Sequence, residues 1–119
     1  MQESPLFVKV HDLLVWLIPL TLKFPREHRF VATQQVQYAA FELHARLTDA
    51  GHGVDVMTSL RRADACVARL RGLLRLCLDW LLLAPRQFEH VSGRLVEIGR
   101  LLGAWIRNLA KQHAIVDAP

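Results

Sequence analysis

Apolar residues recur along this chain in alternating steps of three and four. The clearest run is the last, Phe88, Val91, Leu95, Ile98, Leu102, Trp105 and Leu109, a heptad seam that predicts an amphipathic helix. The segment before it repeats the pattern with Val56, Leu60, Ala63, Val67, Leu70, Leu74, Cys77 and Leu81, and a weaker version runs through Val36, Ala40, Leu43 and Leu47. Leu6, Val10, Leu14 and Leu17 mark a first helix, which Pro19 should kink or shorten because proline cannot donate to the preceding turn. Breaks fall at Phe24-Pro25, Gly51-His52-Gly53 and Ala84-Pro85. The pattern predicts helices over roughly 6–22, 29–50, 55–83 and 86–112, with no strand. Short links between long helices favour antiparallel neighbours. The expected fold is therefore all-α, an antiparallel up-down-up-down four-helix bundle in a single domain, 1–119.

Two stretches are apolar all round the helical wheel, Leu13 to Leu22 and Leu73 to Leu83. In so small a bundle every helix keeps an outer face. Such stretches either pack unusually deeply or bury a second face against another copy of the chain, and the second is expected. It nominates Leu13, Trp16, Leu17, Leu76, Trp80 and Leu83 as an oligomer interface, with Gly99 and Gly103 allowing close helix approach. The Leu13 to Leu22 stretch is ten residues long, about half of what a spanning helix needs. With no cationic start and no small-residue cleavage site near it, the expected location is cytoplasmic.

An apolar content of 52% over 119 residues supports a buried core, and two cysteines exclude a disulfide scaffold. The formal charge is +4, and its distribution is uneven. Between Arg61 and Lys111 ten cations face four anions, whereas the first 60 residues carry five cations and six anions. Twelve of the 15 cations are arginines, whose planar fork suits phosphate and carboxylate. Arg86, Arg100, Arg107 and Lys111 fall in one sector opposite the last seam, and Arg61, Arg71 and Arg75 lie on the outer side of the preceding helix. A solvated charged face and a phosphate-binding surface both fit this stripe. Lys23, Arg26 and Arg29 form a second group at a bundle end, where the two arginines could instead pair with carboxylates and fix the turn. Aromatic residues do not alternate with the cations, which argues for phosphate contact rather than base stacking.

Catalytic patterns are absent. No two of His11, His28, His44, His52, His90 and His113 stand three or four apart on a helix, so no helical metal motif exists. No nucleophile elbow, Gly-rich phosphate loop or paired-carboxylate site occurs. Cys66 and Cys77 lie three turns apart on one helix, too far to bridge, and Cys77 takes a seam position suited to packing. The expectation is a protein that is not an enzyme, with no cofactor and no metal.

The segments "WLIPLTLKFPREHRF" (Trp16 to Phe30), "LRGLLRLCLDW" (Leu70 to Trp80) and "EIGRLLGAWIR" (Glu97 to Arg107) make a resemblance visible. The chain resembles a family of small four-helix-bundle proteins that includes the accessory variability determinant of diversity-generating retroelements and the protein encoded by intervening sequences of bacterial large-subunit ribosomal RNA genes. The similarity covers nearly the whole chain. It is most specific at Phe24-Pro25-Arg26 with Arg29-Phe30, and at the Glu97 to Gly103 run with Trp105. The resemblance implies a basic bundle that assembles into a ring-like homopentamer, binds RNA or DNA, and associates with a reverse transcriptase to support mutagenic copying of a template RNA, without a catalytic role of its own. Thr33 and Gln35 stand where family members often carry a Gly and an Arg, which removes one expected cation. The alternatives are a ribosomal intervening-sequence protein and a purely structural protein-interaction module.

Overall fold

The computed structural model describes residues 4–117, and side chains through Ile115. Residues 1–3, 118 and 119 of the expected domain lie outside the described residues. Four helices occupy the chain: α1 (Pro5–Thr21), α2 (Gln34–Gly51), α3 (Val56–Asp79) and α4 (Pro85–Asp117). No strand occurs among the described residues.

Local chemistry sets where the first helix begins and ends. Ser4 caps α1, its hydroxyl accepting from the Leu6 N–H at 3.1 Å, and Pro5 takes the first helical position, where a missing N–H costs nothing. Pro19 lies within the last turn, and the helix ends two residues after it, at Thr21. There Thr21 is fully buried, donating to the Ile18 carbonyl at 2.7 Å and accepting from Gln37 Nε2 at 2.9 Å, which ties the end of α1 to the start of α2. The corner between them is a 3₁₀ turn, Arg26–His28, followed by one π turn, Arg29–Thr33, that runs directly into α2. The expected start of the second helix at 29 is thus continuous helix with a wider first turn.

The α2–α3 turn uses positive φ at Gly53 (78°) and Asp55 (40°), and Ser59 Oγ donates to the Val54 carbonyl at 2.9 Å across it. Before α4, the Gln87 side chain accepts from the Ala84 N–H at 2.9 Å, half of a capping box, with Pro85 at the first helical position.

α4 runs five residues past its expected end at 112, whereas α3 ends four residues short of its expected end at 83. The heptad continues through Leu81, yet the helix stops at Asp79. Leu81 N–H donates to Leu78 O at 3.0 Å and Leu82 N–H to Cys77 O at 2.8 Å, the paired bonds of a Schellman turn. That turn requires a left-handed residue, and it is Leu81, φ 64°, rather than a glycine. The chain then folds back, and Leu83 is buried beneath the turn.

α1 and α3 each pack against both α2 and α4. Phe7 meets Trp105 edge-on with ring centroids 6.1 Å apart, and Trp16 lies 4.8 Å from the His90 ring, so the start of α1 lies beside the later turns of α4 and its end beside their beginning. At the start of α1 the approach to α2 is close: a Cβ at Gly51 would lie 3.0 Å from Phe7 Cζ. The core takes Leu6, Val10, Leu13 and Leu17 from α1, Val36, Leu43 and Leu47 from α2, Leu60, Leu70 and Leu74 from α3, and Val91, Leu95, Ile98 and Leu102 from α4. The molecule is 57 × 27 × 24 Å, its length set by α4, whose residues from Ala110 to Ile115 are all exposed.

Leu81→Gly should stabilise the protein by about 0.5–1 kcal/mol, the relief of a left-handed β-carbon less the added freedom of the unfolded chain. Chemical denaturation checks this, a midpoint moved upward being the expected outcome.

Candidate nucleic-acid interface

All ten nominated cations are exposed: Lys23, Arg26, Arg29, Arg61, Arg71, Arg75, Arg86, Arg100, Arg107 and Lys111. Their exposure follows from the core, since each helix turns its seam inward and its charged side to water. They do not form one patch. Lys23, Arg26 and Arg29 occupy the α1–α2 corner, and the contact of Trp16 with His90 brings Arg86 to the same end of the molecule. Arg107 and Lys111 lie past Trp105, beside the start of α1, and Arg61 lies near the α2–α3 turn. Between Arg86 and Arg100 the stripe on α4 has a gap of about 21 Å. The cation inside that gap, Arg94, turns its Nε to His90 Nε2 at 2.9 Å.

Ion pairing divides these cations into free and engaged ones. Arg75 Nε lies 3.5 Å from Asp79 Oδ1, a surface pair of small energetic consequence. Arg100 lies 3.9 Å from one oxygen of Glu97, but the other oxygen of that carboxylate receives the Lys9 ammonium at 2.8 Å. The contact from Lys9 joins α1 to α4 across 88 residues, and spacing along a single helix could not reveal it. The Lys9 hydrogen bond and charge hold the Glu97 carboxyl below the usual carboxylate range, with a smaller contribution from Arg100. Arg46 is engaged by Glu42 and Asp49, each at 3.3 Å. No salt bridge among the described residues involves Arg26 or Arg29, so the turn-fixing role that competed for them has no partner there.

The nominated oligomer interface needs correction. Leu13 and Leu17 are at 0% exposure and Leu83 at 2%, so these three belong to the protomer's own core and present nothing to a neighbour. On α1, packing against α2 and α4 covers Leu13 and Leu17 but leaves Val15 61% and Leu22 71% exposed, and on α3 the Schellman turn folds Leu83 back underneath while Leu81 stays 89% exposed. Trp16 is half-buried against His90. Leu76 and Trp80 remain 44% exposed. Gly99 and Gly103 are half-buried: a Cβ at Gly99 would meet Val67 Cγ1 at an ordinary 3.8 Å, and one at Gly103 would meet only the mobile tip of Arg107, at 3.3 Å. Neither glycine is required for a close backbone approach within the protomer.

Exposed aromatic residues are what the sequence reading missed. Phe30 is 71% exposed in the π turn, immediately after Arg29, and Tyr38 and Phe41 are exposed on α2. The available signal was position: Phe30 belongs to no apolar seam.

A sequence profile for the family described as bAvd-like matches residues 6–109, from the first turn of α1 to the later turns of α4. The chain belongs to the bAvd-like family. No curated protein matches it. This bAvd-like chain has no group of three or more metal-ligating side chains among its described residues, and no described helix is long and apolar enough to cross a membrane.

Both cysteines are buried and unbridged. Burial pushes the Cys77 thiol up to about 11, and burial also raises Cys66, partly offset by Arg69. Both thiols should resist a disulfide reagent at pH 8 in the native protein and react once it is denatured. Because the folded pKa of Cys77 is raised, its contribution to stability is complete below the unfolded value near 9 and is lost as pH climbs through 11. A denaturant midpoint that falls more steeply over that window in the native sequence than in Cys77→Ala is the expected result.

Proposed function

We propose that this protein is a non-catalytic accessory protein of a diversity-generating retroelement, acting in the cytoplasm as an up-down-up-down four-helix bundle that assembles into a ring-like homopentamer. It binds RNA or DNA through phosphate contacts and engages the reverse transcriptase that copies the template RNA. The observation that carries this reading is the bAvd-like match over residues 6–109. The approaches of Phe7 to Trp105, Lys9 to Glu97 and Trp16 to His90 support the antiparallel arrangement. Ten exposed cations, eight of them without an ion-pair partner among the described residues, support the nucleic-acid role. The exposed Leu76, Trp80 and Leu81 leave apolar surface for protein contacts.

Five copies at +4 each carry a formal +20, a field that steers a polyanion toward the assembly at low salt. With phosphate contacts dominating, affinity depends on counterion release rather than on base sequence.

Labelled RNA titrated at several salt concentrations tests the reading, with light scattering reporting the mass of the protein. Affinity should drop by about tenfold or more between 50 and 200 mM salt. Arg71→Ala and Arg107→Ala should each weaken binding across sequences and reduce the salt slope by about one. No binding even at low salt would refute the nucleic-acid role, and a particle of 13.6 kDa would refute the assembly.

A further inference from the structure

The corner between α1 and α2 brings three exposed cations together with an exposed aromatic ring. Lys23, Arg26 and Arg29 are all exposed there and have no salt bridge among the described residues; Glu27 is the one acidic side chain among them, and His28 is half-buried. Phe30 follows directly, with a large aromatic ring 71% exposed to water. The cause is the π turn, Arg29–Thr33. Its wider winding directs Ala32 into the core at 2% exposure while Phe30 and Val31 face out. One π turn plus one α turn then carries the same outward face from Phe30 to Tyr38, and Phe41 follows three residues on, both exposed. Opposite them Val36, Ala39, Ala40 and Leu43 are buried, so this aromatic face is the outer side of α2.

We infer that this corner is a single-strand binding platform: Phe30 stacks on an unpaired base while Lys23, Arg26 and Arg29 hold the adjoining phosphates. The inference rests on the nucleic-acid reading above and assigns it a site and a mode. Base faces stack on aromatic rings whatever their sequence, and neighbouring cations track the backbone. A duplex hides its base faces, so Phe30 contributes only to a single strand. Charge also distinguishes a polyanion from a second copy of this chain as the occupant. A second copy is itself net positive, at +4, and two copies meeting corner to corner would bring three unpaired cations against three others, with only the two Glu27 carboxylates to offset them. Burying unpaired guanidinium groups is strongly unfavourable, whereas a phosphate chain supplies the matching charge.

The test is anisotropy of a labelled single-stranded oligonucleotide and of its duplex, at one low salt concentration, with the full-length protein. The native protein should bind the single strand more tightly than the duplex. Phe30→Ala should lower single-strand affinity by roughly 5- to 100-fold and leave duplex affinity, particle mass and melting temperature unchanged. Phe30→Trp should retain the preference, whereas Phe30→Leu, apolar but without a ring, should lose it. Arg26→Ala with Arg29→Ala should weaken both forms. Unaltered single-strand binding by Phe30→Ala, in a native protein that binds RNA, would overturn this inference alone. Failure of the native protein to bind either form would overturn the functional reading with it. A change in particle mass on Phe30→Ala, with equal loss on both forms, would identify the corner as a contact between copies and overturn the inference.

Discussion

The structure depends on one shared layer of leucine and isoleucine side chains, to which every helix contributes. Leu13 and Leu17 of α1, Leu43 and Leu47 of α2, Leu60, Leu70 and Leu74 of α3, and Leu95, Ile98 and Leu102 of α4 are all excluded from water. Each such side chain contributes on the order of 2 kcal/mol by leaving water, and together they fix the rotation of each helix about its axis. Rotation in turn decides which residues face out. Arg61, Arg71 and Arg75 are exposed because Leu60, Leu70 and Leu74 are not, and Arg100 and Arg107 because Ile98 and Leu102 are not. The cationic exterior is a geometric consequence of the core.

Much of this was legible in the sequence because a heptad seam encodes both the helix and its inward side. The four helices and most of the buried set follow from spacing alone. Helix ends were less legible. A Schellman turn is ordinarily announced by glycine, and here Leu81 holds the left-handed position, so the apolar rhythm of α3 ran past its physical end. For the same reason Leu83 resembled surplus surface when it is core. A helical wheel counts apolar sides without knowing how many neighbours a helix has. α1 touches two helices and encloses Leu13 and Leu17 between them, so two of the residues nominated for an interface were already covered. Contacts between distant segments, such as Lys9 with Glu97, leave no mark in local spacing.

The candidate site was legible in part. Cations opposite a seam must be exposed, and that much spacing gave. Their grouping depends on which helix ends meet, which three-dimensional packing decides: Trp16 against His90 gathers Arg86 toward the α1–α2 corner, and Phe7 against Trp105 places Arg107 and Lys111 at the far end. The π turn at Arg29–Thr33 has no simple sequence signature, yet it turns Phe30 outward beside the corner cations. A bundle whose core is closed within the chain can display such groups without needing them for folding. Surface cations can then vary at little cost to stability.

The central claim is that each chain completes its own core, so that the assembly proposed above adds contacts to an already folded unit. Far-UV circular dichroism, followed across a dilution series in which mass measurement reports dissociation, tests it most directly. The account predicts that the helical signal persists unchanged as particles separate into 13.6 kDa chains. Loss of helix in step with dissociation would show that sister chains complete the core, and would contradict it.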